Sequence, residues 1–243
     1  MDVDLGERIN QFLAMGTDAL SAAQLAAHIE HTLLKADATS ADIERLCAEA
    51  RHFGFRCVCV NGSHVEHARS LLEDTNIQVV AVVGFPLGAM AGDVKRFEAE
   101  AAIDDGAHEI DMVMNIGHLK DARDAVILRE LRDVVESADE RPVKIILETG
   151  LLDGEQKIRA CQLVLESGAH FVKTSTGFGP GGATVEDVRL LRATVGPKFG
   201  VKASGGIRDL ETASKMINAG ADRLGTSSSV AIVQDLLRTS KPA

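Results

Sequence analysis

The chain has 243 residues, 26% of them charged, and a formal net charge of -10, a balance without the excess of Lys and Arg by which proteins hold nucleic-acid phosphates. It contains no Trp and no Tyr, which also argues against a base-stacking platform. With 45% hydrophobic residues the composition is globular rather than disordered, and no apolar run approaches the roughly 20 residues of a membrane span.

A small phosphorylated ligand remains compatible with this charge, because it needs only a local positive potential. The four cysteines, Cys47, Cys57, Cys59 and Cys161, form no C-x-x-C pair. They read as reduced thiols of a cytoplasmic protein. The N-terminus, MDVDLGERIN, is acidic and lacks the apolar core of a signal peptide.

In chain order, residues 1–27 read as an extension of one or two helices, plugging the base of the following domain or packing on its wall. Residues 28–243 form one domain. Its strands are predicted near 28–34, 55–61, 77–85, 108–115, 143–149, 170–176, 199–205 and 222–227. Helical patterns over 40–53, 62–74, 91–105, 119–138, 153–167, 184–195, 209–219 and 228–237 follow them in turn. Thr39 or Ser40 can cap the first helix, and Gly54, Gly106, Gly168, Gly196 and Gly220 follow helical stretches, where a left-handed residue is common. The phrase Gly-Ala-polar recurs before three strands, at His108, His170 and Asp222. Eight strands alternating with eight helices predict a (β/α)8 TIM barrel, with an open doubly wound sheet as the structural competitor.

Charge in the middle of the strands is the informative anomaly, since barrel strands are covered on both faces. Alternation in Glu109–Asn115 sends Ile110, Met112 and Met114 to the helices and Asp111, Val113 and Asn115 to the axis. The same parity turns Lys144 and Glu148, Lys173 and Ser175, and Lys202 and Ser204 inward. A buried structural ion network is the plain alternative. Two lysines in the same Val-Lys-x-Ser context on neighbouring strands argue against it, because their ammonium groups repel.

That repulsion suits chemistry. At an ordinary pKa near 10.4 only about one lysine in 2,500 is neutral at pH 7, and a nucleophilic amine must be neutral. Burial and a neighbouring cation both favour that form, and bringing a lysine to about pH 7 makes the reactive fraction roughly a thousandfold larger. One lysine would form a Schiff base and the other would activate it. An inward Asp would move protons, directly or through water. The pattern does not say which lysine is the nucleophile.

Glycine- and hydroxyl-rich turns follow three strands, at Ser175–Gly182, Ser204–Gly206 and Gly225–Ser228. Turns after the seventh and eighth strands are common phosphate sites in barrels. Gly205 and Gly206 would allow close approach, and Ser227 and Ser228 would add donors at a helix start. Gly177, Gly179 and Gly182 also match G-x-G-x-x-G, but this occurs late in the chain and includes Pro180, so a dinucleotide site is not expected. The pairs His28/His31 and His64/His67 have helical spacing but no third partner, so no metal is expected. Cys59 is expected to line the pocket.

Taken together, Ile29-Glu-His-Thr-Leu-Leu-Lys35, Cys57-Val-Cys-Val-Asn61, Val83-Gly-Phe-Pro-Leu-Gly88, Glu109–Asn115, Phe171–Gly177, Val201–Ile207 and Arg223–Ser228 resemble the deoxyribose-phosphate aldolases. The resemblance runs in order from about residue 28 to about 235. It implies a class I aldolase that reversibly cleaves 2-deoxy-D-ribose 5-phosphate to acetaldehyde and D-glyceraldehyde 3-phosphate, in cytoplasmic deoxynucleoside catabolism. It makes Lys173 the Schiff-base lysine, Lys202 its activator and Asp111 the proton-transfer residue. Gly177, Gly205, Gly206, Gly225, Ser227 and Ser228 fall at the substrate and phosphate positions. No cofactor is implied, and the expected assembly is a homodimer or homotetramer. Three departures stand out. Glu30 replaces the usual Asp before His-Thr-Leu-Leu. Phe178 stands where some members have Lys. No C-terminal Tyr is available for proton transfer.

Overall fold

The computed structural model describes residues 20–239. Eight parallel strands hydrogen-bond in sequence order, and the last pairs with the first to close a barrel. They are β1 Ile29–Leu33, β2 Cys57–Val60, β3 Gln78–Val83, β4 Glu109–Val113, β5 Val143–Ile146, β6 Phe171–Lys173, β7 Gly200–Ser204 and β8 Arg223–Thr226. The main helices outside them are α1 Ala22–His28, α2 Ser40–Phe53, α3 Val65–Leu71, α4 Gly92–Asp104, α5 Ile116–Lys120, α6 Asp124–Ser137, α7 Gly154–Ser167, α8 Val185–Val195, α9 Leu210–Asn218 and α10 Ser229–Thr239. This is the predicted TIM barrel.

Most of the expected N-terminal extension lies outside the described residues. Its described part, α1, is capped by a reciprocal Ser21/Gln24 pair, runs directly into β1 and packs against α10. The predicted helix over 119–138 is two helices. α5 begins earlier, because the Asn115 side chain accepts from the His118 N–H at 3.1 Å. Ala122, with φ +58°, then breaks the path before α6. Asn115 is therefore a helix cap, not an axial residue, since β4 already ends at Val113.

The repeated Gly-Ala-polar phrase does the same work three times. His108 and His170 accept at Nδ1 from the N–H groups of Val79 and Val143, and Asp222 accepts from Val201. The same three residues donate their own N–H to the carbonyls of Val79, Val143 and Val201. Each phrase pins the start of an even-numbered strand to the preceding odd one. Gly106, Gly168 and Gly220, at φ +99°, +86° and +110°, supply the left-handed turn that all three connections need.

Outward strand residues such as Val58, Ile110, Ile145 and Val201 are fully buried under the helices, each contributing about 1.5–3 kcal/mol by area removed from water. The barrel interior is divided. Cys57, Cys59, Val80 and Val82, with Leu34, form an apolar cluster on one side, and the charged strands β4–β8 and β1 fill the other. At the base, the Phe171 ring lies under Arg223 at 5.5 Å and Lys144 at 5.9 Å from its centroid. It occupies the space above Gly200, where an added Cβ would sit 2.1 Å from the ring. Gly200→Ala is therefore expected to cost about 3 kcal/mol or more by overpacking. A chemical-denaturation midpoint within experimental error of the parent would contradict this.

Candidate active site

Period-two parity delivers the charges where the sequence places them. Lys173 and Lys202 are register partners on β6 and β7, and Asp111 and Lys144 on β4 and β5. Asp111 is the hub. Its Oδ2 accepts from Lys173 Nζ at 2.8 Å and Lys202 Nζ at 2.6 Å, and its Oδ1 accepts from Lys144 Nζ at 2.9 Å. Lys202 also pairs with Glu30, and Lys144 lies 2.5 Å from Glu109. Arg223 completes the group, 3.5 Å from Glu30 and 3.7 Å from Glu109.

Electrostatics decide the protonation states. Burial opposes charge on Asp111, but Lys144, Lys173 and Lys202 outweigh it and hold its carboxyl well below the usual range. Glu30 is likewise depressed: burial pushes it up, and Lys144 and Lys202 more than offset this. Burial disfavours charge on Lys202 and Lys144, yet Asp111 and Glu30 outweigh it and raise both above an ordinary lysine. Three carboxylates thus face four cations, Lys144, Lys173, Lys202 and Arg223. Lys173 is the least paired of the three lysines. It has one carboxylate partner, while Lys202 has two and Lys144 three.

Lys173 is also the lysine of this group that reaches the open. A cavity of about 230 Å³ at the C-terminal end of the strands is lined by Lys173 and residues 32–35, 176–178, 204–208 and 225–227. Lys144 and Lys202 are fully buried beneath it. A larger recess of about 370 Å³ between β2 and α4 contains Glu98 and Asp105 but no cation in its lining, so it does not suit an anionic ligand.

The structure brings Gly177, Gly205, Gly206, Gly225 and Ser227 to this cavity with Lys173. Gly225 has a second role, since an added Cβ would sit 3.1 Å from Lys202 Cε and 3.0 Å from Ser204 Cβ. Ser228 does not line the cavity. Its N–H donates to Thr226 Oγ1 at 2.9 Å, and α10 begins one residue later than predicted. Glu148 also differs from expectation. β5 ends at Ile146, the backbone turns through φ +51° at Glu148, and its carboxylate accepts from the Thr176 N–H and hydroxyl, away from the lysines. Gly179 then packs on Glu148 and Gly182 on the Gly205 carbonyl, where a Cβ would sit 2.5 Å from the oxygen. Close packing of this loop accounts for the G-x-G-x-x-G spacing.

The histidine pairs do not act as pairs. His31 contacts Glu49 and Ser229, and His28 contacts the Asp222 carbonyl. Glu30, Cys57 and Glu109 approach metal-ligand spacing, but Lys144 and Arg223 already neutralise both carboxylates. Cys59 lies in the interior beneath the cavity, with its thiol pushed up to about 11 by burial.

Comparison with known proteins agrees with this geometry. Residues 8–235 match the model of the DeoC/LacD family aldolases. The chain belongs to that family. It is 59% identical over 212 residues to a deoxyribose-phosphate aldolase of Alkaliphilus oremlandii, covering 87% of this chain and 96% of the relative. A deoxyribose-phosphate aldolase of Carboxydothermus hydrogenoformans is 55% identical, with 90% and 97% covered. The solved tetrameric deoxyribose phosphate aldolase of Aeropyrum pernix superposes with a TM-score of 0.87 at 34% identity, covering 95% of this chain and 98% of that one.

Within this aldolase, sequence parity missed some charged groups. Glu109 and Arg223 occupy strand starts, where the same alternation turns them inward, and Glu30 shares the inward face of β1 with Thr32. Lys35 and Arg208 line the cavity from loops. No periodicity marks a loop cation, although Arg208 follows Gly205 and Gly206 closely. Arg208 and Lys35 provide positive charge on a rim where Phe178, stacked edge-on with Phe85 at 5.3 Å, provides none.

Proposed function

We propose that this aldolase reversibly cleaves 2-deoxy-D-ribose 5-phosphate to acetaldehyde and D-glyceraldehyde 3-phosphate, with Lys173 as the Schiff-base lysine. One observation carries the assignment: of the three lysines paired with Asp111, Lys173 alone reaches the cavity, and it is the cation that the interior carboxylates can spare. Loss of its proton leaves three carboxylates against three cations.

The neutral Nζ attacks the C1 aldehyde carbon of the open-chain sugar, and the carbinolamine loses water to give an iminium. The C2–C3 bond then breaks. Its electron pair moves toward the iminium nitrogen, the C3 hydroxyl loses its proton, and glyceraldehyde 3-phosphate leaves. The enamine takes a proton at C2, and water releases acetaldehyde and Lys173. Lys202 stays cationic and favours the neutral amine. Asp111 is ionised at rest. When Lys173 becomes an uncharged carbinolamine, Asp111 loses one of its three counter-charges and becomes a better proton acceptor, directly or through water.

The phosphate is placed at the turns after β7 and β8, by Gly205, Gly206, Gly225 and Ser227 with Gly177, and Arg208 adds a cation. Gly182→Ala would press its Cβ into the Gly205 carbonyl, so KM for the phosphorylated sugar is expected to rise about tenfold. An unchanged KM would count against this placement. We also propose a cytoplasmic homodimer or homotetramer, supported by the tetrameric Aeropyrum pernix relative and by the outward Leu87 and Phe97, 77% and 67% exposed. No helix among the described residues is long and apolar enough to cross a membrane.

Borohydride trapping with 2-deoxyribose 5-phosphate, followed by peptide mass spectrometry, tests the chemistry. A reduced adduct on Lys173 is expected. An adduct on Lys202 would exchange the two lysine roles, and absence of any adduct from protein that binds the sugar would overturn the Schiff-base reading.

A further inference from the structure

One buried hydrogen-bonded chain lies outside the cavity and takes no part in the chemistry above. His31 sits on the outer face of β1, only 4% exposed. Its ring packs against Phe55 at 5.1 Å between centroids. Nε2 lies 2.7 Å from Glu49 Oε2 on α2, and Nδ1 lies 2.9 Å from Ser229 Oγ, at the first residue of α10.

The chain continues from there toward the cavity. The fully buried Ser229 hydroxyl also lies 3.0 Å from the Thr226 carbonyl, to which it can donate. The Thr226 hydroxyl donates to the Ile207 carbonyl at 2.6 Å and accepts from the Ser228 N–H at 2.9 Å. One path of polar contacts therefore runs from α2 through His31 to the β8–α10 turn and across to the β7–α9 turn.

A valine or isoleucine would satisfy the packing of an outward β1 position without placing a polar ring under the helices. An imidazole with both nitrogens engaged suits a site whose orientation matters. The segment it holds is the β8–α10 turn, whose Gly225, Thr226 and Ser227 line the cavity.

We infer that His31, held by Glu49, is a positioning residue for recognition of the substrate phosphate. It acts through Ser229 to fix the β8–α10 turn against the β7–α9 turn, and it does not touch the substrate. This rests on the placement of the phosphate at those two turns.

The test compares His31→Phe, His31→Asn, Ser229→Ala and Arg208→Gln with the parent enzyme. Each is assayed with 2-deoxyribose 5-phosphate and with unphosphorylated 2-deoxyribose, and thermal stability is recorded alongside. Losing the ring's hydrogen bonds in His31→Phe should raise KM for the phosphorylated sugar about tenfold. Its kcat, and kcat/KM for the unphosphorylated sugar, should stay within about twofold. His31→Asn, which keeps a polar group near Nδ1, should recover most of the loss, and Ser229→Ala should reproduce it. Ser229→Ala and His31→Asn carry the comparison if His31→Phe does not fold.

Equal losses on both sugars, or lower stability with an unchanged preference for the phosphate, would show that His31 only holds the helices. If Arg208→Gln weakens the phosphate preference while the His31 and Ser229 variants keep it, the positioning role falls and the phosphate site stands. If Arg208→Gln keeps it too, the phosphate placement itself is wrong.

Discussion

Lys173→Met should lose at least about 10⁴-fold in kcat, because it removes the amine that makes the covalent step. It should also lose the borohydride adduct. The variant is expected to fold. Removing Lys173 leaves Glu30, Glu109 and Asp111 opposite Lys144, Lys202 and Arg223, a balanced interior. Methionine fills most of the vacated volume. Binding of the sugar phosphate, measured by calorimetry, should survive, since the turns after β7 and β8 are untouched. Residual turnover within about tenfold of the parent would mean that another amine carries the reaction.

Lys202→Met should lower kcat/KM at pH 7 by about 100-fold, through protonation rather than through loss of a nucleophile. The sign follows from the charge balance. With Lys202 present, the interior has one cation more than its carboxylates need, and Lys173 can give up its proton. Without it, three carboxylates face Lys144, Lys173 and Arg223, and the proton on Lys173 becomes necessary for balance. The neutral amine is then scarcer near pH 7 and returns as the pH rises, so the variant should recover activity toward alkaline pH. A loss uniform across pH would remove the activator role from Lys202. Stability should also fall, by up to about 3–5 kcal/mol, because Lys202 is a partner of both Glu30 and Asp111 in a buried site. The pH profile separates the two effects, since a loss of folding alone does not reverse with added base.

Much of this site follows from parity. Eight apolar segments alternating with helices specify the barrel, and period two along β4–β7 brings Asp111, Lys144, Lys173 and Lys202 to one interior. Parity does not say where a strand stops. Continuing the alternation past Val113 and Ile146 puts Asn115 and Glu148 on the axis. A helix cap and a left-handed turn send them elsewhere. Ser228 shows the same difficulty at a helix start, where a shift of one residue exchanges a ligand-facing N–H for one bonded to Thr226. Arg208 and Lys35 reach the cavity from loops that have no period to read. Which lysine is the nucleophile was open at the level of residue pattern. It becomes an argument only when burial and the count of carboxylate partners distinguish Lys173 from Lys202.

The three pins at the strand starts bear on acid sensitivity. An Asp accepts a hydrogen bond through a carboxylate, whereas His108 and His170 accept through the Nδ1 lone pair. A doubly protonated imidazole has no such lone pair and would point a donor at a donor. Burial, with Arg69 and Arg141 nearby, lowers the proton affinity of His108 and protects its contact. Its stabilisation is therefore complete above the unfolded histidine value and declines as acid is added. The β3–β4 seam is thus acid-labile. It borders the strand that carries Asp111, so mild acid would loosen the charged hub from beneath, at the end of the barrel remote from the substrate.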